Sequence, residues 1–357
     1  MKSSQRRIDK ILVTWYLENK RDLPWRQAKV PYQVWLSEII LQQTQVVQGL
    51  PYYNKFVSAF PSVHDLAKAS EQEVLKLWQG LGYYSRARNL HHTARQLSEN
   101  HNGIFPQTFE GLLSLKGVGV YTASAIASIC FDVPKAVVDG NVYRVLSRVF
   151  GLDLPINETA GIKRFQELAD QQLALDDPGT YNQAIMEFGA LQCVPKNPNC
   201  EKCPLVNHCV AYTTGSVHGL PVSIKKIKVK TEFYNFLVLQ DHTGGIWMRR
   251  RSDQGIWPNL YEFPLIETAE AVDQEYILTQ AHAMLEVSDN SIQALEQYNA
   301  VPWAHRLTHK KLMVVFWLGF VEGTLPKSYP VAALEGLAVP AIIARFISKA
   351  VPFTRQN

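Results

Sequence analysis

Apolar residues recur every three or four positions through most of the first 190 residues, which is the period of amphipathic helices. The pattern predicts helices over residues 8–19 and 34–49, and a helical region over 62–98 that contains a glycine-flanked turn at residues 80–82. The helical pattern continues to about residue 188. A turn is predicted at 177–179, with another helix starting at Tyr181. This half of the chain is therefore expected to be all α-helical.

The pattern changes after a turn-rich and then basic segment at residues 213–228. Strands are predicted at 233–239, 246–250 and 312–321, an aromatic loop at 257–264, and helices near 272–286 and 340–350. Periodicity thus predicts a multidomain protein: an all-α domain over residues 1–212, a linker over 213–228, and an α+β domain over 229–357.

Composition narrows the class of protein without identifying it. The chain has 357 residues, 46% of them apolar, and a formal net charge of +4, which is compatible with a nucleic-acid partner. No apolar run is long enough to span a bilayer. The N-terminal basic residues Arg6, Arg7 and Lys10 are not accompanied by the apolar core of a signal peptide. We therefore expect an intracellular, cytoplasmic protein that does not contact a membrane.

Two short stretches combine glycine with a helix start. In the first, Gly117 and Gly119 join two apolar helical stretches, an arrangement that aims backbone amides at an anion. In the second, Asp139 precedes Gly140 and a new helix, where free amides and the helix dipole favour an ionised carboxylate. Asp139 is either only a helix cap or an acid presented to a nucleotide held by the hairpin.

Glu38 stands among apolar neighbours in the helix predicted over 34–49. If it is buried, desolvation favours its protonated form, as a general acid requires; the alternative is an exposed surface residue. Trp25 and Arg26 on a loop suit a planar base, and Gln43 and Tyr83 suit insertion into a base stack. For each of these residues, ordinary packing or a solvated surface position is the alternative.

Four cysteines lie within seventeen residues, at Cys193, Cys200, Cys203 and Cys209. This spacing suits a metal site, either a tetrahedral zinc or a 4Fe–4S cluster, and the spacing leaves both open. The fifth cysteine, Cys130, is predicted to be a small core residue.

Two carboxyls in different environments can cleave a glycosidic bond, one as the acid and the other stabilising the positive sugar. With the hairpin and the cysteine spacing, the sequence resembles the helix-hairpin-helix DNA glycosylases, and within them the MutY family of adenine glycosylases. The resemblance covers nearly the whole chain. It implies a monomeric base excision repair enzyme that removes adenine mispaired with 8-oxoguanine or guanine in double-stranded DNA, and that carries a 4Fe–4S cluster.

The resemblance also implies a role for each matching residue. Glu38 protonates adenine and then activates water, Asp139 stabilises the C1′ cation, and Tyr121 and Asn141 support them. The remaining implied sites are the adenine pocket (Trp25, Arg26, Gln183), residues that enter the duplex (Gln43, Tyr83), the phosphate-binding hairpin (Gly117, Gly119) and the cluster ligands (Cys193, Cys200, Cys203, Cys209).

Endonuclease III-like members of the superfamily carry a nucleophilic lysine just after the hairpin, where this chain has Tyr121. A phenol cannot form an imine, so base excision without efficient strand cleavage is expected. The second domain resembles a Nudix-like domain without the metal-binding glutamate box, which implies binding rather than hydrolysis. The family's lesion loop often reads Phe-Ser-His; here it is Leu307, Thr308 and His309, so the apolar residue differs.

Two rival functions are compatible with parts of the sequence. An endonuclease III-like glycosylase for oxidised pyrimidines would share the hairpin, but Tyr121 and the second domain argue against it. A non-catalytic DNA-binding module would also use the hairpin, but it has no use for a desolvated Glu38 beside Asp139.

Overall fold

The computed structural model describes residues 7–27, 29–224, 229–285 and 292–349. Within these ranges α-helices occupy the chain up to Thr213, and β-strands with fewer helices follow from Lys230. The predicted fold class, an all-α part followed by an α+β part, is confirmed. The basic end of the predicted linker, residues 225–228, lies outside the described residues. No helix in the described ranges is long and apolar enough to cross a membrane.

The chain divides into two units by its internal contacts. The first contains residues 1–68 and 89–225, and the second contains residues 69–88 and 226–357. The hydrophobic pattern gave no sign that residues 69–88 belong to the second unit, because helical periodicity continues on both sides of the turn predicted at residues 80–82. The domain limits drawn from the sequence stay a prediction.

The helical part contains twelve α-helices among the described residues, of which α5 belongs to the second unit and α6 begins there. They are α1 (Asp9–Asn19), α2 (Pro31–Leu41), α3 (Val46–Ala59), α4 (Val63–Lys68), α5 (Glu71–Trp78), α6 (Ser85–Asn100), α7 (Phe109–Leu113), α8 (Val120–Phe131), α9 (Gly140–Phe150), α10 (Thr159–Gln172), α11 (Pro178–Leu191) and α12 (Val210–Thr213).

Two of the predicted helices are interrupted. The helix predicted over 34–49 is wrong beyond Leu41, because Gln42 leaves the helical conformation and Gln43 has a φ of 57°. The region 62–98 contains three helices. The predicted glycine-flanked turn at residues 80–82 separates α5 from α6, whereas the break before α5, which Ser70 starts with a reciprocal cap, was not predicted. Apolar spacing continues across such breaks because helices on both sides bury their apolar faces, so periodicity alone hides them.

Helix α11 begins earlier than the sequence predicted. The sequence placed a turn at residues 177–179 and a helix from Tyr181, but the helix already begins at Pro178. Asp177 is its N-cap and accepts from the Thr180 amide at 3.1 Å. Proline is favoured in the first helical turn, where its missing N–H would have no intrahelical partner.

The second unit is built on a mixed sheet. The strands of this unit are β1 (Lys230–Asp241), β2 (Gly245–Trp247), β3 (Arg249–Arg250), β4 (Tyr261–Glu262), β5 (Leu265–Thr268), β6 (Ile292–Gln297), β7 (Trp303–Arg306), β8 (Lys310–Val321) and β9 (Ser328–Pro330). The main order is β6-β8-β1-β2-β9, with β5 also paired to β1 and β7 to β8, while β3 and β4 form a separate pair. The parallel pairing of β1 with β8 forms the centre of the sheet.

Each face of this sheet is covered by a helix. Helix α13 (Gln274–Met284) contributes Ile277 and Ala281 to a core with Leu237 and Leu239. On the other face Phe346, from α15 (Ala341–Lys349), stacks on Phe316. The short α14 (Val331–Leu334) follows β9. Residues 286 and 350, at the ends of the two predicted helices, lie outside the described residues.

Candidate active site

The hairpin between α7 and α8 presents an open helix N-terminus. Gly117 has a φ of +79°, and a Cβ there would lie 2.6 Å from the Asn89 Cβ, so both its conformation and its surroundings require glycine. Gly119 caps α8 with no side-chain hydrogen bond, and both glycines are exposed. The amides of this turn are therefore suited to an anion.

Asp139 is the N-cap of α9, as its position in the sequence predicted. Its carboxylate accepts from the amides of Asn141 and Val142, both at 2.8 Å, and from the Asn141 side chain at 2.9 Å. Burial raises the pKa of Asp139, although these hydrogen bonds act to lower it. The sequence led us to expect that the helix amides favour the ionised carboxylate. They do so, but the loss of water on burial acts more strongly in the opposite direction.

Glu38 lies on α2. Its pKa is raised to about 7, chiefly by burial and also by the nearby Asp139 charge, against the opposing effects of a hydrogen bond with Tyr121 and the charge of Arg26. Part of the residue remains accessible to solvent. A carboxyl of this kind is about half protonated near neutral pH, which meets the requirement for a general acid.

Tyr121, in the first turn of α8, connects the two acids. Its hydroxyl donates to the Met186 Sδ at 3.2 Å and also hydrogen-bonds Glu38. Burial raises the pKa of Tyr121 well above its usual value, with the charges of Glu38 and Asp139 adding to the effect. Glu38, Tyr121 and Asp139, brought by α2, α8 and α9, therefore form one electrostatically connected cluster.

The three residues expected to hold a base lie along α11 and the loop before α2. Trp25 is buried and packs edge-on against Tyr53, while Gln183 is half-buried. Arg26 donates to both Glu187 oxygens, at 3.0 and 2.9 Å, and its positive charge lowers the pKa of Glu38. Arg26 is thus within electrostatic reach of the acid cluster.

Glu187 was missed by the sequence analysis. It is 1% exposed and pairs with Arg26 and also with Arg21, at 2.6 Å. Burial raises its pKa, but the hydrogen bonds from both arginines lower it more, to about 2. A buried carboxylate without partners would be costly, so Glu187 and the two arginines depend on one another. A glutamate within the amphipathic α11 carries no sequence signal of this role.

Arg144 was also missed, and it ties the Asp139 loop to the cysteine segment. Its guanidinium donates to the Asn141 Oδ1 at 2.8 Å, to the Gly189 carbonyl at 2.6 Å and to the Cys193 carbonyl at 2.7 Å. A Cβ on Gly189 would lie 2.6 Å from the Asn141 Cβ, so glycine permits α11 to approach the start of α9 this closely.

The four clustered cysteines line one cavity, together with apolar side chains and Arg148. Arg148 is 2% exposed and its Nη1 lies 3.4 Å from the Cys193 Sγ. Within the part of the chain that the structure describes, no three Cys, His, Asp or Glu side chains converge as they would on a single metal ion. Cys130 lies apart from this cavity on α8, and burial raises its pKa to about 12, in keeping with a core role.

The remaining predicted residues lie in two places. Gln43 is exposed in the turn between α2 and α3. In the second unit, the hydroxyls of Tyr83 and Thr308 are 3.1 Å apart, and both line a groove of about 700 Å³. His309 lines the same groove and is exposed, as are Tyr83 and Thr308.

The floor of this groove contains Trp257, which has a φ of 58° and packs edge-on against His305 at 5.6 Å. Arg88 donates to the Pro258 carbonyl at 3.2 Å and holds the same loop. The nearby Glu262 is 1% exposed and pairs with Arg249 and Arg251. Its carboxylate is therefore committed to two guanidinium groups.

Comparisons with known proteins agree with this architecture. Residues 36–169 match the HhH-GPD superfamily of base excision DNA repair proteins, and residues 235–349 match the NUDIX domain. The chain is 36% identical over 262 residues to the adenine DNA glycosylase of Buchnera aphidicola from Schizaphis graminum, covering 73% of this chain and 75% of that one. It is 34% identical to the adenine DNA glycosylase of Buchnera aphidicola subsp. Baizongia pistaciae, and this match covers 85% of this chain and 83% of that one.

A solved complex of endonuclease III trapped on DNA superposes with a TM-score of 0.52. That structure is 20% identical and covers 60% of this chain and 99% of its own, so it supports the helical fold alone.

Proposed function

The chain belongs to the adenine DNA glycosylases of the helix-hairpin-helix superfamily, and from this premise we propose that it acts on adenine mispaired with 8-oxoguanine or guanine in duplex DNA. It cleaves the N-glycosidic bond of an adenine nucleotide that has been turned out of the helix, since the bond cannot be reached inside the base stack.

The observation that carries the proposed mechanism is the electrostatic cluster of Glu38, Tyr121 and Asp139. Glu38 in its protonated form donates to the departing adenine. Asp139, with three N–H donors on its carboxylate, remains an anion and stabilises the positive charge that develops at C1′. Once the base has left, the ionised Glu38 takes a proton from water, which completes hydrolysis.

Tyr121 limits the reaction to base removal. Its hydroxyl is engaged with Glu38 and Met186, and a phenol cannot form a Schiff base with C1′. The enzyme is therefore proposed to be monofunctional, leaving an abasic site with an intact strand.

Several exposed groups suit the DNA duplex. The Gly117–Gly119 hairpin offers uncapped amides to a phosphate, and Gln43 extends from a turn where it can enter the base stack. We propose that these residues bind the strand carrying adenine. The enzyme is proposed to act as a monomer inside the cell, in the cytoplasmic compartment that holds the DNA.

The groove in the second unit is the proposed reader of 8-oxoguanine. The Tyr83–Thr308 pair presents two hydroxyls and His309 presents an imidazole, which offer donors and acceptors to an oxidised purine edge. The leucine at position 307 replaces the aromatic residue usual in the family, so recognition here is proposed to depend on the hydroxyl pair. A domain whose buried glutamate pairs with arginines is proposed to bind rather than hydrolyse.

A single-turnover assay tests the proposed substrate. We expect adenine release to be fastest opposite 8-oxoguanine, slower opposite guanine and negligible opposite thymine. Strand breaks should appear only after alkaline treatment. Equal rates opposite 8-oxoguanine and thymine would contradict the proposed specificity, and nicking in step with base release would contradict the monofunctional reaction.

We also propose that the four cysteines hold a 4Fe–4S cluster. All four line one cavity, as expected of thiolates that each bind one iron of a four-iron cube, and a single tetrahedral zinc is the alternative. The buried Arg148 beside Cys193 offsets the negative charge of the thiolates. With all four ligands taken from the chain, the cluster supplies structural cross-links to this segment.

Metal analysis of protein purified without added metal distinguishes the two possibilities. We expect a brown protein with about four irons per chain and visible absorbance that bleaches on oxidation, together with a lower unfolding temperature after cluster loss. A colourless protein with one zinc per chain would refute the iron assignment. The Cys130→Ser variant is the control and should leave the iron content unchanged.

A further inference from the structure

Tyr16 on α1 contacts Gln183 and Arg26, two residues of the proposed base pocket, and has no assigned role. It is 4% exposed, and its hydroxyl donates to the Gln183 Oε1 at 3.1 Å. The two residues come from α1 and α11, which pack together and bring Trp15 and Phe188 into edge contact at 5.0 Å. The hydroxyl is therefore held in place by two packed helices.

The Tyr16 hydroxyl can donate or accept a hydrogen bond, and it favours one orientation of the Gln183 amide through its own hydrogen. With Oε1 facing it, the buried O–H has an acceptor, whereas a rotated amide would present Nε2 and take that acceptor away. A glutamine amide has an accepting oxygen and a donating NH2 group, and the two ends are nearly equal in size. With Oε1 bound to a hydroxyl donor, the Nε2 amino group is turned away from Tyr16. Without that donor, the amide could rotate by half a turn at little steric cost.

Amide orientation matters for telling purines apart. At positions 1 and 6, adenine presents an acceptor and an amino donor, while hypoxanthine presents an N–H donor and a carbonyl acceptor. An amide fixed in one orientation complements one of these patterns and opposes the other, whereas a rotating amide tolerates both. A site built on fixed hydrogen bonds rejects the mismatched analogue because its buried polar groups are left unpaired.

The second partner of Tyr16 belongs to the same pocket. The Arg26 Cζ lies 5.5 Å from the centre of the tyrosine ring, and Arg26 is fixed on its other side by Glu187. One tyrosine thus contacts both polar residues expected to face the base, Gln183 through its hydroxyl and Arg26 through its ring.

We propose that Tyr16 is a positioning residue for base specificity, which holds the Gln183 amide in one orientation. This inference rests on the proposed function, because it assumes that Gln183 contacts the extruded base. The hydroxyl sets the orientation of the amide, and the ring supports the guanidinium, so removing only the hydroxyl separates the two contributions.

The test compares Tyr16→Phe with wild type on duplexes carrying adenine or hypoxanthine opposite 8-oxoguanine. We expect the ratio of single-turnover rates, adenine over hypoxanthine, to fall roughly five- to tenfold, in line with the loss of one hydrogen bond. Both substrates are tested on the same preparation, so a partly unfolded variant alters both rates and leaves the ratio meaningful.

Two controls separate positioning from general packing. Tyr181 lies on the same helix as Gln183, and the described residues offer its buried hydroxyl no hydrogen-bond partner. Tyr181→Phe should therefore leave the ratio unchanged. In a Gln183→Ala background, Tyr16→Phe should produce no further change in the ratio.

An unchanged ratio in Tyr16→Phe, or an equal change in the Gln183→Ala background, would overturn the inference while leaving adenine excision intact. A wild-type protein that released no adenine from any duplex would instead overturn the proposed function, and this inference with it.

Discussion

Asp139→Asn should reduce the single-turnover rate of adenine release by about a thousandfold or more, while affinity for the mispaired duplex is retained. The substitution keeps the size of the side chain but removes the charge that faces C1′. The protein should remain folded, because asparagine caps helices as well as aspartate does. Rapid-quench kinetics, a gel-shift assay and a thermal melt measure the three quantities.

The design of this variant separates catalysis from binding. A non-catalytic DNA-binding module would show the same affinity for wild type and variant and no base release from either. A variant that kept more than a tenth of the wild-type rate would show that the Asp139 charge contributes little to the transition state. Asp177→Asn, at the cap of α11, is the matched control and should preserve the rate.

Glu38→Gln should also reduce the rate of adenine release by about a thousandfold, within the range lost when a general acid is removed. Glutamine keeps the shape of the side chain but cannot transfer the proton. In the wild type, the rate should fall as pH rises through about 7, because the carboxyl loses its proton there. The variant should lose this limb of the pH profile.

The same substitution should stabilise the protein at high pH. The folded pKa of about 7 lies above the unfolded value, so ionisation opposes folding as pH rises from about 4.5 to about 7. At pH 8 the variant should gain on the order of 2–3 kcal/mol in free energy of unfolding, and at pH 4 it should gain little. Urea unfolding at both pH values measures this, and a variant that lost stability at pH 8 would contradict the buried environment of Glu38.

Elements with a local signal were predictable from the sequence. The Asp139 cap was predictable because Asp, Gly and a following amphipathic helix lie within a few residues. The hairpin was predictable because two glycines separate two apolar helical stretches. The four cysteines were visible as a cluster because cysteine is rare and their spacing is short.

Features that depend on packing were not predictable. The division of the 34–49 region at Gln43 was hidden because the apolar period continues on both sides of the turn. The hydrogen bonds of Arg26 with Glu187 and of Tyr16 with Gln183 join residues 161 and 167 positions apart, so no local pattern indicates either contact. Such polar contacts form only after the helices have packed, so a single sequence carries no direct sign of them.

The balance between burial and hydrogen bonding at the two acids also required the structure. Apolar neighbours in the sequence suggested a desolvated Glu38, and in the structure burial raises the pKa of this carboxyl. For Asp139 the cap was visible and the burial was not, so the direction of its pKa shift could not be predicted. The sequence thus indicates which residues are candidates, and packing determines their charge states.

Glu38 and Asp139 are proposed to act on one extruded nucleotide. A crystal structure with a duplex in which the target nucleotide carries a pyrrolidine ring would show this, because the ring cation stands in for the charged C1′. We expect the Asp139 carboxylate against the ring cation and the Glu38 carboxyl on the side from which the base departs. Carboxyls bound to different nucleotides, or an Asp139 turned away from the cation, would contradict it.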